Sequence, residues 1–300
     1  MKTSNWCAAF PGRDALTKEL DQNFYNTYTS VKKRFAQASQ YFRTDIAKIC
    51  YSGEIPTKWQ TVCLVTHCLS IYQVAAEQYG PPCCAIGYSQ GEFTACLACG
   101  AASFIPMLHL IFQLEYILQS QSAADECMYR IIGLDTAILK ECCKQIDPTG
   151  EKICISSYIS KDQNIISGKK DKTEHAAAIA KQKGARWALN LHSPRAYHSP
   201  LCDAAASQAK KYFSSTPFKE ATLPVYSCID GSNSKSGTDI RRKLAVQINH
   251  PIQWRKISQN LTKGGVFHLI ECGPGCTVSA NTRIADERIQ CKWIGSINDL

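Results

Sequence analysis

The sequence predicts an α/β fold, a body with a largely parallel sheet interrupted by a small β-α-β-β-α-β unit. Three observations carry this. Apolar strand-like runs alternate with helical runs on both sides of the chain's middle. The middle itself reads strand, helix, strand, strand, helix, strand within about 65 residues, the ferredoxin-like order. Glycine and proline punctuate the joins between these runs. The expected boundaries are 1–125 and 192–300 for the body and 126–191 for the inserted unit.

Taken in order, TVCLVTHCLSIYQVAAEQYG is a helix closed by Gly80-Pro81-Pro82. CCAIGYSQGEFTACLACG supplies a short apolar strand, a tight turn over Gly87–Gly91 and a helix from Glu92 to Cys99. A further helix runs from Pro106 to Ser120. The insert follows as MYRIIGL (strand), AILKECCKQI (helix), KICISSY (strand), QNIISG (strand), KTEHAAAIAKQKG (helix) and RWALNL (strand). After it come the strand LPVYSCI, the helix DIRRKLAVQINH, the helix QWRKISQNLTKGG and the strand VFHLIECGPG.

Composition narrows the class. The 300 residues are 45% hydrophobic, which excludes a disordered chain. The apolar stretch IPMLHLIFQLEYILQ carries His109 and Glu115 and is too short and too polar to span a bilayer. No apolar run of a secretory signal opens the chain, so its 17 cysteines are expected to be reduced thiols in a soluble, cytoplasmic protein. Cys96 and Cys99 match C-x-x-C without a second pair at zinc spacing, so no metal is expected. The net charge of +9 comes from scattered lysines and arginines with no aromatic platform, a poor match to nucleic acid. The basic runs at 169–172, 181–183 and 241–243 read as mostly solvated faces that together suit an acidic partner.

Gly87-Tyr88-Ser89-Gln90-Gly91 fits G-x-S-x-G between a strand and a helix. A serine on that sharp turn needs glycines beside it, and the following helix offers backbone N–H groups and a positive end to a developing oxyanion. Such a nucleophile needs a base. His67 and His109 lie in apolar helical runs, His175 on a charged helix, and His268 in a strand. His192 and His198 share the polar loop LHSPRAYHSPLC, and spacing leaves the choice between them open.

Five blocks occur in order: Phe10-Pro11-Gly12, then Gly87 to Glu92, AYHSPL at 196–201, QINHPIQW at 247–254, and ECGPG at 271–275. Together they resemble the malonyl-CoA:acyl carrier protein transacylase family, which includes the acyltransferases of polyketide and fatty-acid synthases. The resemblance implies an α/β-hydrolase-like body with a ferredoxin-like insert. It also implies a Ser89–His198 dyad and an acyl-serine intermediate, collected by a pantetheine thiol in a ping-pong cycle. Gln90 would give one oxyanion N–H, and backbone near Gln247 and Asn249 would orient the histidine. Tyr88, Leu114, Tyr197 and Val62 would line the acyl pocket. No bound cofactor is implied, only coenzyme A or the phosphopantetheine arm of a carrier protein as thioester carrier, and the protein is expected to be a monomer.

Departures from the family pattern shape the expected substrate. Arg13 stands where the family has an oxyanion glutamine; its guanidinium either serves the oxyanion or a substrate charge, or turns to solvent. Counting from Ser89, Leu114 falls where malonyl-using members carry an arginine. Burying an unpaired malonyl carboxylate costs on the order of several kcal/mol. Val62 and Ile159 replace further polar residues. The expected pocket therefore takes uncharged acyl groups. That resembles the stand-alone acyl hydrolases that clear stalled chains from carrier proteins in polyketide (antibiotic) biosynthesis, with malonyl loading as the alternative. A non-catalytic homologue that binds a carrier protein or synthase is the alternative of another class.

Overall fold

The computed structural model describes residues 5–17, 19–121 and 123–300. Among them ten strands form two sheets. In chain order these are β1 (Trp6–Phe10), β2 (Cys84–Gly87), β3 (Glu126–Ile132), β4 (Ile153–Tyr158), β5 (Gln163–Lys169), β6 (Trp187–Asn190), β7 (Val225–Tyr226), β8 (Asn233–Ser234), β9 (His268–Cys272) and β10 (Gln290–Ile294).

The larger sheet runs β10-β9-β1-β2-β7-β8 and is parallel throughout except for the β7–β8 hairpin. Its central strand β1 is buried along its whole length. Alternation along β1 divides the core, as the pleat requires. Trp6, Ala8 and Phe10 join the cluster under helices 57–79 and 104–120, while Cys7 and Ala9 join the one under helices 254–263 and 277–285.

The smaller sheet is antiparallel, in the order β4-β5-β3-β6, with helices Thr136–Ile146 and Lys170–Gln182 in its two crossovers. These helices cover one face: Leu139, Cys143, Ala176 and Ala180 pack with Ile131, Ile153, Ile155 and Ile166. The other face gathers Met128, Ile159 and Ile165 against Tyr197. The two sheets are tied by backbone: Tyr158 N–H donates to Ile252 O (2.8 Å) and Ile252 N–H to Ser156 O (2.9 Å).

The mixed α/β fold is therefore the expected one. Several elements differ in detail. The helix expected over 239–250 is an α-helix only over Gly237–Leu244, followed by a 3₁₀ turn at Gln247–Asn249. Pro251 biases His250 away from helical backbone, and His250 is indeed extended. The strand expected from LPVYSCI shrinks to two residues. β1 went unread, because five apolar residues show no period of their own. No helix among the described residues is long and apolar enough to cross a membrane.

Candidate active site

Ser89 sits between β2 and the helix Gly91–Ala98, with a left-handed backbone (φ 53°). Its flanking glycines are sterically required. A Cβ on Gly87 would lie 2.0 Å from the Gly91 carbonyl carbon, and one on Gly91 would lie 2.1 Å from Phe10 O. The turn thus packs directly on the end of β1. Gln90 is the residue that caps the helix, so the helix's positive end lies beside the serine.

The two loop histidines are placed differently. His192 has an exposed backbone N–H bound to Asn190, whereas His198 is buried with its Nε2 2.7 Å from Ser89 Oγ. His198 Nδ1 lies 2.9 Å from Gln247 O. A carbonyl can only accept, so Nδ1 carries the proton and Nε2 is left as the acceptor for the serine hydroxyl. Burial pushes the His198 ring down to about 4, opposed by the backbone carbonyls of Gln247 and His250. The imidazole is therefore neutral at ordinary pH, the form a general base needs.

Backbone of the segment around Gln247 and Asn249 does face the histidine: the His198 N–H donates to Ile248 O (2.8 Å), beside the Gln247 carbonyl, while the Asn249 side chain donates to Asp203 Oδ1 at an exposed position. The single 3₁₀ turn aims the carbonyls of Gln247 and Ile248 at the histidine and carries residue 249 outward. Gln247 does more than its carbonyl suggested. Its Nε2 donates to Ser89 O (2.9 Å) and to the buried Glu92 carboxylate (2.6 Å), which also accepts from Cys228 N–H (3.1 Å). One residue so fixes the base through its backbone and the nucleophile's turn through its side chain. Burial raises the Glu92 carboxyl, with the Gln247 and Cys228 hydrogen bonds opposing.

Arg13 neither reaches for solvent nor stands free. Its Nη1 donates to Glu115 Oε1 (3.1 Å), its Nη2 to Glu115 Oε2, and its Nε to Gln90 Oε1 (3.4 Å). The guanidinium lies 5.4 Å from the Tyr197 ring centroid. Thr61 and Gln119 complete the shell around the Glu115 carboxylate at 3.2 and 2.9 Å. In the sequence Glu115 stands as a polar interruption of an apolar helix. It is the sole acidic residue of the helix Phe104–Ser120, and a lone acid on a buried helix calls for a buried partner.

A cavity of about 260 Å³ opens beside this pair, lined by Arg13, Glu115, Leu118, Arg195 and Tyr197 among others. Of the four residues expected to line an acyl pocket, only Tyr197 lines this cavity. Val62 and Leu114 are buried in the main hydrophobic core. Tyr88 is turned to the far side of the sheet, its ring edge-on to Trp254 and its hydroxyl 2.9 Å from Ser157 Oγ. The alternation of β2 accounts for this: Tyr88 continues the face of Cys84 and Ile86, which joins the cluster under helix 254–263.

Elsewhere, Lys243 is not solvated as expected but buried, paired with Asp230 and Asp239 at 3.0 and 3.1 Å. All 17 cysteines are unpaired, Cys96 and Cys99 among the buried ones. Among the described residues no group of His, Cys, Asp and Glu side chains could hold a metal ion.

No protein-family model matches the chain. Over 284 residues the chain is 30% identical to the malonyl CoA-acyl carrier protein transacylase of Escherichia coli, covering 92% of each. It is also similar to the crystal structure of an acyl carrier protein S-malonyltransferase from Vibrio cholerae, with a TM-score of 0.92 and 25% identity over 99% of this chain and 98% of that one. A malonyl-transacylase in complex with its type II polyketide synthase acyl carrier protein shares the fold at TM-score 0.92 and 24% identity, covering 99% and 97% of the two chains.

Proposed function

The chain belongs to the malonyl-CoA–acyl carrier protein transacylase family and is an acyltransferase; on that premise we propose that it carries acyl groups from coenzyme A to an acyl carrier protein through Ser89. The observation that carries this reading is the 2.7 Å contact from Ser89 Oγ to a neutral, correctly protonated His198. In the first half-reaction Ser89 Oγ attacks the thioester carbonyl while His198 Nε2 takes its proton. The thiolate of coenzyme A leaves and is protonated by the same ring. In the second, His198 deprotonates the pantetheine thiol, which attacks the acyl-serine and restores Ser89. The backbone N–H of Gln90, at the positive end of the helix Gly91–Ala98, would receive the developing oxyanion. No metal or redox group enters these steps.

Malonyl is the acyl group that the names of the relatives favour. A second reading, uncharged acyl groups, is favoured by the burial of Leu114 in the core and by the engagement of Arg13 with Glu115. Water in place of the pantetheine thiol would turn the same acyl-serine into a hydrolytic editing cycle, as expected for the polyketide role.

The test is incubation with malonyl-CoA and with acetyl-CoA, following the intact mass of the protein, then addition of a holo carrier protein from a fatty-acid or a polyketide synthase. A mass increase on Ser89 that is absent in Ser89→Ala, and passes to the carrier, supports acyl transfer. Free acid in place of acyl-carrier product supports hydrolysis. An unmodified protein with every thioester refutes the reading.

A further inference from the structure

We propose that Glu115 sets the acyl selectivity of this site by competing with a substrate carboxylate for Arg13. The inference rests on the acyl-serine reading above and goes on to the class of acyl group. Three observations support it.

First, the pair lies next to the reacting atoms. A Cβ on Gly12 would come within 3.4 Å of Ser89 Cβ, and Arg13 follows Gly12 and bonds to Gln90, the residue after the serine. Tyr197, which stacks on the guanidinium, precedes His198. Second, the two charges are unequally placed: the Arg13 side chain is 18% exposed and that of Glu115 is 2%. The cation fronts the cavity and the anion lies behind it, held by Thr61 and Gln119. Third, the other guanidinium lining the cavity is also engaged. Arg195 lies 3.5 Å from the buried Glu126 carboxylate and donates to Leu118 O (2.7 Å).

Both cations around the cavity are therefore neutralised from within the protein. An acyl group ending in a methyl meets no unpaired charge there. One ending in a carboxylate meets the field of Glu115 and gains Arg13 only by drawing it away, which leaves a buried carboxylate without its cation. Glu115→Gln keeps the shape and one acceptor, for Gln119, turns the other position into a donor to the Thr61 hydroxyl and removes the rival charge, so the guanidinium becomes available for two parallel bonds to a substrate carboxylate.

The experiment measures kcat/KM for malonyl-CoA and acetyl-CoA with one holo carrier protein, in the wild type, Glu115→Gln and Arg13→Gln/Glu115→Gln. The ratio of malonyl to acetyl is the readout, because mere loosening of the site lowers both values together. Glu115→Gln is expected to raise the ratio about 10- to 100-fold, the worth of one charged hydrogen-bonded contact, and the double variant to return it towards the wild-type value. An unchanged or lowered ratio in Glu115→Gln overturns the proposal, as does a raised ratio that survives loss of Arg13. If Glu115→Gln does not fold, Glu115→Asp, whose shorter carboxylate loosens the grip on Arg13, must raise the ratio in the same direction. Absence of any acyl-Ser89 in the wild type overturns this proposal together with the acyl-transfer reading. An acyl-enzyme with an unmoved ratio overturns this one alone.

Discussion

Replacing Gln247 by methionine isolates what the glutamine side chain contributes while leaving its backbone carbonyl on His198 in place. Methionine matches the glutamine in length and is tolerated in buried positions. Two hydrogen bonds disappear, one to the Glu92 carboxylate at 2.6 Å and one to Ser89 O at 2.9 Å. A bond to a charged group contributes about 1.5–3 kcal/mol and a neutral one about 0.5–1.5 kcal/mol. Glu92 keeps its bond from Cys228 N–H, so it is weakened but not orphaned. The expected loss is therefore about 2–4.5 kcal/mol with Glu92 charged and about 1–3 kcal/mol with it protonated. Equilibrium urea unfolding of both proteins measures it. The same variant should form acyl-Ser89 about 10- to 100-fold more slowly, because the elbow loses a tether while the base keeps its tautomer. A stability change below about 0.5 kcal/mol would mean that the Glu92–Gln247–Ser89 link does not hold the elbow.

Burial of titratable groups sets three further outcomes. Acylation of Ser89 should be flat between roughly pH 6 and 8 and fall only near the His198 value of about 4; an inflection at the ordinary histidine value near 6.5 would show the ring to be far better solvated than it is here. The same depressed value gives stability a sign: His198 contributes fully above about 6.5, and its contribution is lost as pH falls towards 4, because the unfolded chain then binds the proton first. Among the cysteines, Cys276 alone is exposed, while Cys83, Cys154 and Cys291 are half-buried. Burial raises Cys154 to about 12 and Cys291 to about 11, so a thiol reagent at neutral pH should modify one cysteine quickly, and Cys276→Ser should remove that reaction. Rapid modification of three or more thiols in the native protein would contradict that expectation.

What could be read from the sequence was local. The elbow was legible because glycine, serine and glycine at fixed spacing between a strand and a helix have one steric reason to occur together. The order β3 to β6 was legible because short apolar strand-like runs there alternate with helical runs across polar joins. What was not legible joins residues far apart in the chain. Arg13 and Glu115 are 102 positions apart, and nothing local says that an arginine after Pro-Gly will meet an acid on a distant apolar helix. The placing of Leu114 at the family's arginine position drew attention to an apolar change, while the neighbouring Glu115 carries the charge that matters to the cavity. Which atoms of this segment serve the histidine was hidden too: the carbonyls of Gln247 and Ile248 face it, while the Asn249 side chain goes outward to Asp203. The side-chain role of Gln247 was equally hidden, since its two acceptors lie more than 150 positions away.

The positive φ of Ser89 and His198 bears on how this protein can change. An L-residue held in the left-handed region gives up about 1–2 kcal/mol that glycine would not. At Ser89, whose side chain is small, glycine relieves the backbone and removes little packing, so Ser89→Gly should make an inert protein of about unchanged stability, the relief offsetting the loss of the hydroxyl bond to His198. At His198 the buried ring opposes that relief, because its removal would leave a void. Thermodynamic selection alone would thus erode the nucleophile before the base, and the serine endures in that conformation only where its chemistry is needed.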